Sequence, residues 1–202
     1  MECPQVPPTT WVRFTTSTAE PADGERADRY RIESVTSHTG APLEGLEVGA
    51  RLSRIESTVG VPAGGGDLVA VTQHLGYTRS TERAELASTA TPGAGSHVVV
   101  IPITKSPGWW SLAHDERDRL FRGAGKADGH VNVGRPHAKL ILRKLYHGRG
   151  VPGAGWDFLT YFEFGPELVD EFRSLVAGLR DPTRNPEWAE VVREAEVWLR
   201  RE

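Results

Sequence analysis

Residues 96–105 read SHVVVIPITK, the strongest strand signal in the chain. A continuous β-branched run without polar alternation belongs to a strand buried on both faces, so the segments that follow it decide what kind of sheet it joins. LAHDERDRLF (112–121) reads as a helix ended by Gly123. HAKLILRKLYH (137–147) reads as a strand, with Ile141, Arg143 and Leu145 on one face and Leu140, Leu142 and Tyr146 on the other. WDFLTYFEF (156–164) is a further aromatic strand. GPELVDEFRSLVAGLR (165–180) carries Leu168, Phe172, Leu175 and Leu179 at helical spacing, with Pro166 near its start. AEVWLRRE (195–202) closes the series as a strand. Strand, helix, strand, strand, helix, strand is the order of a split βαβ, or ferredoxin-like, unit.

Toward the N-terminus the signals weaken. WVRFTTS (11–17), DRYRIESVTS (28–37) and the start of DLVAVTQHLGYT (67–78) read as strands, RSTERAELAS (79–88) as a short helix, and GVPAGGGD (60–67) as a linker. The chain therefore reads as one α+β unit: a reduced N-terminal half over 1–96 and a fuller C-terminal half over 97–202. Residues 1–60 carry no recognisable chemistry.

Composition narrows the function. Lys and Arg number 24 against 27 Asp and Glu, a formal net charge of -3 that gives no electrostatic reason to expect nucleic acid or an anionic membrane. Cys3 is the single cysteine, which excludes an internal disulfide, a CxxC motif and a thiolate cluster. A metal would have to be held by histidine, carboxylate or a prosthetic group. The opening MECPQVPPTTWVRF lacks a basic and then apolar leader, and no run approaches the ~18 apolar residues of a membrane span, so the expected location is cytoplasmic.

The stretch GHVNVGRPHAKLILRKLYHG (129–148) holds the residues with most chemical promise. Arg143 lies on an apolar strand face, where a permanent planar cation suits a small anion. His130 follows Gly129 in what reads as a loop, where a histidine alone is as a rule solvated. An edge-strand arginine can equally lead its charge to water. His137 and His147 compete for a metal but read as facing solvent, and His114 sits in an acidic, exposed helix.

KSPGWWSLAHDER, the His130-x-x-x-Gly134 spacing, LRKLYHGRG, DFLTYFEF and LRDPTRNPEWAEVVREAEVWL together resemble the chlorite dismutase family of haem b enzymes, in the short, dimeric branch. The resemblance covers 97–202 best and extends through GYTRSTERAEL to 68–96. It implies a dimeric α+β barrel of ferredoxin-like halves, with haem b as cofactor and chlorite as substrate. The proximal iron ligand then falls on His130 and the distal arginine on Arg143. Residues lining the haem or meeting its propionates fall on Tyr77, Ile101, Lys105, Trp109 and Leu145, with Lys105 the propionate partner. The carboxylate behind the proximal histidine falls on Glu187, with Asp181 close by as the competitor.

The implied reaction turns chlorite into chloride and dioxygen through an oxo-iron and hypochlorite. His130, with its second nitrogen donating to a carboxylate, would strengthen iron's electron supply, while Arg143 would hold the oxyanion. The alternative is a haem-binding or sensing protein with weak peroxidase or nitrite-binding activity. Relatives that decarboxylate coproheme do without the distal arginine, so Arg143 argues against that chemistry. The fold also hosts haem-free proteins.

Overall fold

The computed structural model describes residues 9–17, 26–58, 64–72, 82–123, 125 and 127–202. Eight strands carry the fold: β1 (Trp11–Thr15), β2 (Arg26–Thr39), β3 (Arg51–Ser57), β4 (Leu68–Thr72), β5 (His97–Lys105), β6 (Leu142–His147), β7 (Phe158–Phe164) and β8 (Val191–Arg201). They close into a barrel in the order β1-β3-β2-β8-β5-β7-β6-β4, with β4 bonded back to β1 and every pair antiparallel. Within each run of four the order is fourth, first, third, second. The two runs join where the second strand of one pairs with the fourth of the other, β2 with β8 and β6 with β4.

Period-2 alternation along the strands separates two cores. Val98 and Val100 of β5, Leu159 and Tyr161 of β7, and Ala195, Val197 and Leu199 of β8 fill the barrel with Phe14, Tyr30, Leu52 and Leu68. The intervening Val99, Ile101, Ile103, Phe158, Phe162 and Phe164 point outward, where helices cover them. β5 is thus buried on both faces, as its apolar run requires. The chief cover is α5 (Val169–Arg180), which lays Phe172, Leu175 and Leu179 on the sheet at the spacing read from the sequence.

Four shorter helices complete the description: α1 (Arg83–Leu86), α2 (Pro107–Ser111), α3 (His114–Arg122) and α4 (Gly129–Gly134). Ser106 caps α2, its side-chain oxygen accepting from the Trp109 amide, with Pro107 in the first turn. In α3, Ala113 N–H donates to the Glu116 carboxylate at 2.7 Å. Among the described residues every helix follows β4, so the N-terminal four strands are complete while their helical cover is not.

The structure departs from the sequence reading in three places. RLSRIES forms β3, though its arginines hide the alternation that places Leu52 and Arg54 on one buried face and Ile55 and Ser57 on the other. His130 lies on a helix, α4, and not in a loop. The strand predicted from His137 begins only at Leu142, because Arg135–His137 form a 3-10 turn around Pro136.

A buried polar network crosses the barrel interior. Arg54 of β3 donates to Asp28 of β2 at 2.8 Å and to the Tyr146 hydroxyl of β6 at 2.8 Å, and it also pairs with Glu56. The Tyr161 hydroxyl donates to Glu163 at 2.7 Å and lies 3.2 Å from that of Tyr30, while Arg201 of β8 pairs with Glu163 at 3.1 Å.

Candidate active site

The site lies outside the barrel, between the outward face of β5, β6 and β7 and the layer formed by α3, α4 and α5. β5 supplies Ile101, Ile103 and, at its end, Lys105; α2 supplies Trp109; β6 supplies Arg143 and Leu145. His130 enters from α4, and Glu187 from the 3-10 turn Pro186–Glu190 ahead of β8. Two cavities, of about 370 and 60 Å³, meet here and share Phe121, His130, Arg143, Phe162 and Leu179 as walls. The smaller is almost wholly apolar. The larger adds polar groups at Ser88 and His137.

His130 and Arg143 divide the two spaces. The Arg143 Nη1 donates to His130 Nε2 at 3.2 Å, and His130 Nδ1 lies 2.9 Å from Glu187 Oε2. Glu187 in turn binds the Lys105 ammonium at 2.6 Å through its other oxygen, and its backbone carbonyl accepts from the same ammonium at 3.1 Å. The Lys105 and Glu187 side chains are only 3% and 6% exposed. The faces of Trp109 and Trp188 lie 4.8 and 5.6 Å from the ammonium, within cation–π range.

These contacts set the protonation states. Burial alone would raise the Glu187 carboxyl, but the Lys105 ammonium and the His130 imidazole together outweigh it and hold it at about 2. Burial pushes His130 down, and Arg143 and Lys105 add to this against the opposing pull of Glu187. An ionised Glu187 can only accept, so Nδ1 carries the imidazole hydrogen and Nε2 presents its lone pair to the cavity. That is the tautomer a metal-ligating histidine needs. Burial also pushes the Arg143 guanidinium down, with Glu187 acting the other way; a guanidinium nonetheless stays charged. By surface area Arg143 is an exposed residue, and it lines both cavities. Among the described residues it has no carboxylate within ion-pairing distance.

The structure brings together His130, Arg143, Glu187, Ile101, Lys105, Trp109 and Leu145 around one space, while Tyr77 lies outside the described residues. The ammonium assigned to a propionate is instead taken up by the Glu187 carboxylate. Asp181 turns away from the site, accepting from the Thr183 amide and hydroxyl at 2.8 and 2.7 Å. His137 pairs with Glu171 at 2.8 Å at the wall of the larger cavity, and His147 is half-buried, edge-on to Phe158 at 4.9 Å. Sequence reasoning missed Phe121, which stacks on His130 at 4.5 Å with planes 12° apart. Its neighbours DRL and RG marked only an amphipathic helix end. It also missed Trp188, although the PEW run that yielded Glu187 contains it.

Comparison with known proteins gives the fold and the family. A dimeric chlorite dismutase from Nitrobacter winogradskyi superposes with a TM-score of 0.73 at 28% identity, over 94% of this chain and 99% of that one. A chlorite dismutase from Candidatus Nitrospira defluvii, solved with imidazole, gives 0.64 over 95% of this chain and 90% of its own; at 21% identity it speaks for the fold alone. The chlorite dismutase of Ideonella dechloratans is 29% identical over 101 residues, 48% of this chain, so the matched region spans about a third (33%) of that protein's length. The family described as chlorite dismutase matches residues 46–193, nearly three-quarters of the sequence and the whole of the site just described, and the chain belongs to that family.

Proposed function

We propose that this protein is a haem b enzyme that converts chlorite into chloride and dioxygen. The observation that carries the reading is the pairing of His130 Nε2 with the Arg143 guanidinium beside apolar walls, one a ligand whose hydrogen is held on its other nitrogen and the other a cation with, among the described residues, no carboxylate in ion-pairing distance.

The donor set fits a haem. A neutral imidazole, buttressed through Nδ1 by a carboxylate, is the axial ligand of many haem proteins. The smaller cavity has apolar walls from Ile101, Leu145 and Phe162, and the larger adds polar groups at Ser88 and His137. His130 would hold the iron, while Ile101, Trp109 and Leu145 would meet the porphyrin. Binding through Nε2 would replace the Arg143 hydrogen bond to that atom and free the guanidinium for an anion. A bound haem supplies the redox chemistry by which chlorine–oxygen bonds break and an oxygen–oxygen bond forms.

This chain's own residues do the rest. Glu187, itself fixed by Lys105, keeps the hydrogen on His130 Nδ1 and holds the ring in place. Arg143 attracts and orients the chlorite anion with a charge that no physiological pH removes, and it keeps anionic fragments close while the two oxygens combine. Ile101, Leu145 and Phe162 place apolar surface beside the guanidinium, which strengthens its hold on an anion relative to open water. The repeated strand order supports ferredoxin-like halves, and the dimeric description of the Nitrobacter relative supports a homodimer.

The test is oxygen evolution on adding chlorite to protein reconstituted with haemin and freed of excess. We expect a fast burst in the wild type, and a fall of roughly 10²-fold in Arg143→Ala, the usual scale for losing one preorganised charge-stabilising group. An Arg143→Ala protein with full turnover would remove that residue from the mechanism. Haem-loaded wild type that binds nitrite but evolves no dioxygen would select the sensing reading instead.

A further inference from the structure

The connection from α3 to α4 is built on two glycines in left-handed conformation, Gly123 at φ +82° and Gly129 at φ +75°. A Cβ on Gly129 would lie 2.1 Å from the Gly123 nitrogen, and one on Gly123 would lie 2.2 Å from the Ala127 carbonyl oxygen. Only glycine accepts both the backbone angle and the close approach. Gly123 and Gly129 therefore sit in close contact, and the end of α3 is pressed against the start of α4. Both ends are anchored: Arg122 pairs with Glu82 and Asp118, and the Gly129 amide donates to the Arg184 carbonyl at 2.8 Å.

The outcome of that closure is the stack of Phe121 on His130. A histidine side chain turns about two bonds, and its second torsion is broad. Once Nε2 is given to a bound group and not to Arg143, the hydrogen bond from Nδ1 to Glu187 fixes one direction in the plane of the ring but leaves the ring free to rock about the line joining Nδ1 to the carboxylate. A phenyl ring lying flat against the imidazole removes that remaining freedom.

We propose that Phe121 is a positioning residue for His130, fixing the plane of the imidazole and hence the direction in which Nε2 meets a bound group. This deepens the reading of His130 as iron ligand and rests on it. Phe121 does not touch the reacting atoms; it acts through the ring it faces, just as Lys105 acts through Glu187.

The test uses Phe121→Ala, Phe121→Leu, Phe121→Tyr and His130→Ala with two readouts. In haem-free protein, the ring protons of His130 facing the phenyl should resonate upfield in the wild type and Phe121→Tyr, and return to ordinary positions in Phe121→Ala and Phe121→Leu. In haem-loaded, ferrous protein, the iron–histidine stretch should be one narrow band in the wild type and Phe121→Tyr, and broadened or split in the other two Phe121 variants at unchanged haem stoichiometry. Phe121→Leu keeps most of the buried volume, so it serves if Phe121→Ala does not fold. A wild-type band in Phe121→Leu overturns the proposal, as does an unshifted ring proton in the wild type. Haemin uptake with the same band in His130→Ala would overturn the ligand assignment, and the haem-free ring-proton shift would still decide the stack by itself.

Discussion

Lys105 carries a full charge to a position that water hardly reaches, and it can do so because the Glu187 carboxylate and two indole faces replace its hydration. A buried pair of this kind adds little net stability when intact, but removing one partner leaves an uncompensated charge. Lys105→Met is accordingly expected to cost roughly 3–5 kcal/mol in urea unfolding of the haem-free protein. Lys105→Met combined with Glu187→Gln should recover most of it, because the double variant leaves no lone charge. A double variant as unstable as the single one would mean that packing of the lysine stem, and not its charge, is what counts. None of this was legible in the sequence, where a lysine ending a strand is by default a surface residue. Its partner lies 82 residues away, and only folding reveals the pair. Arg143 was legible, because alternation along LILRKLY puts it on an apolar face whatever the rest of the chain does.

At the scale of elements, α4 has only six residues, too few to be stable in isolation. Its place is set by the glycine pinch before it, by Val131 and Val133 buried beneath it, and by the Arg184 carbonyl at its first amide. Gly129→Ala should therefore be far more damaging than Gly125→Ala. Both positions are left-handed, a penalty of roughly 1–2 kcal/mol for alanine, but a Cβ at 125 meets nothing within 4 Å whereas one at 129 meets backbone at 2.1 Å. We expect Gly125→Ala to lower the melting temperature by only a few degrees, and Gly129→Ala to lower it much further and to slow haemin uptake. Equal shifts would show that the pinch is not needed. The C-terminal elements could be read from sequence because β5 and α5 carry unbroken period-2 and period-3.6 patterns. β3 could not, since each of its two faces carries an arginine, Arg51 on one and Arg54 on the other, and the buried Arg54 makes sense only beside Asp28 and Tyr146. α4 was read as loop because Gly129 and Gly134 bound it at both ends.

Across the whole molecule, the polar network inside the barrel joins β2 and β3 to β6, β7 and β8. Its three tyrosines are all harder to ionise than usual. Burial raises Tyr146, with Arg54 opposing, to about 12; burial also raises Tyr161 and Tyr30. The unfolded chain loses these protons near pH 10, while the folded protein keeps them, so stability must fall as pH rises through the interval from about 10 to about 12. Tyr146 alone should contribute roughly 2–3 kcal/mol to that fall. Denaturant unfolding followed across this interval should show a steep loss in the wild type and a shallower one in Tyr146→Phe. Parallel curves would show that Tyr146 ionises as freely folded as unfolded. The same barrel has a consequence for descent. Two runs of four strands share one strand order, yet among the described residues none of β1–β4 lines either cavity, and every assigned side chain that does so follows residue 100. Among the described residues, the strands that line both cavities thus all belong to one copy of a repeated plan. Mutations accumulating on the outer surface of the other copy are screened for folding alone, and this lineage is expected to drift fastest there.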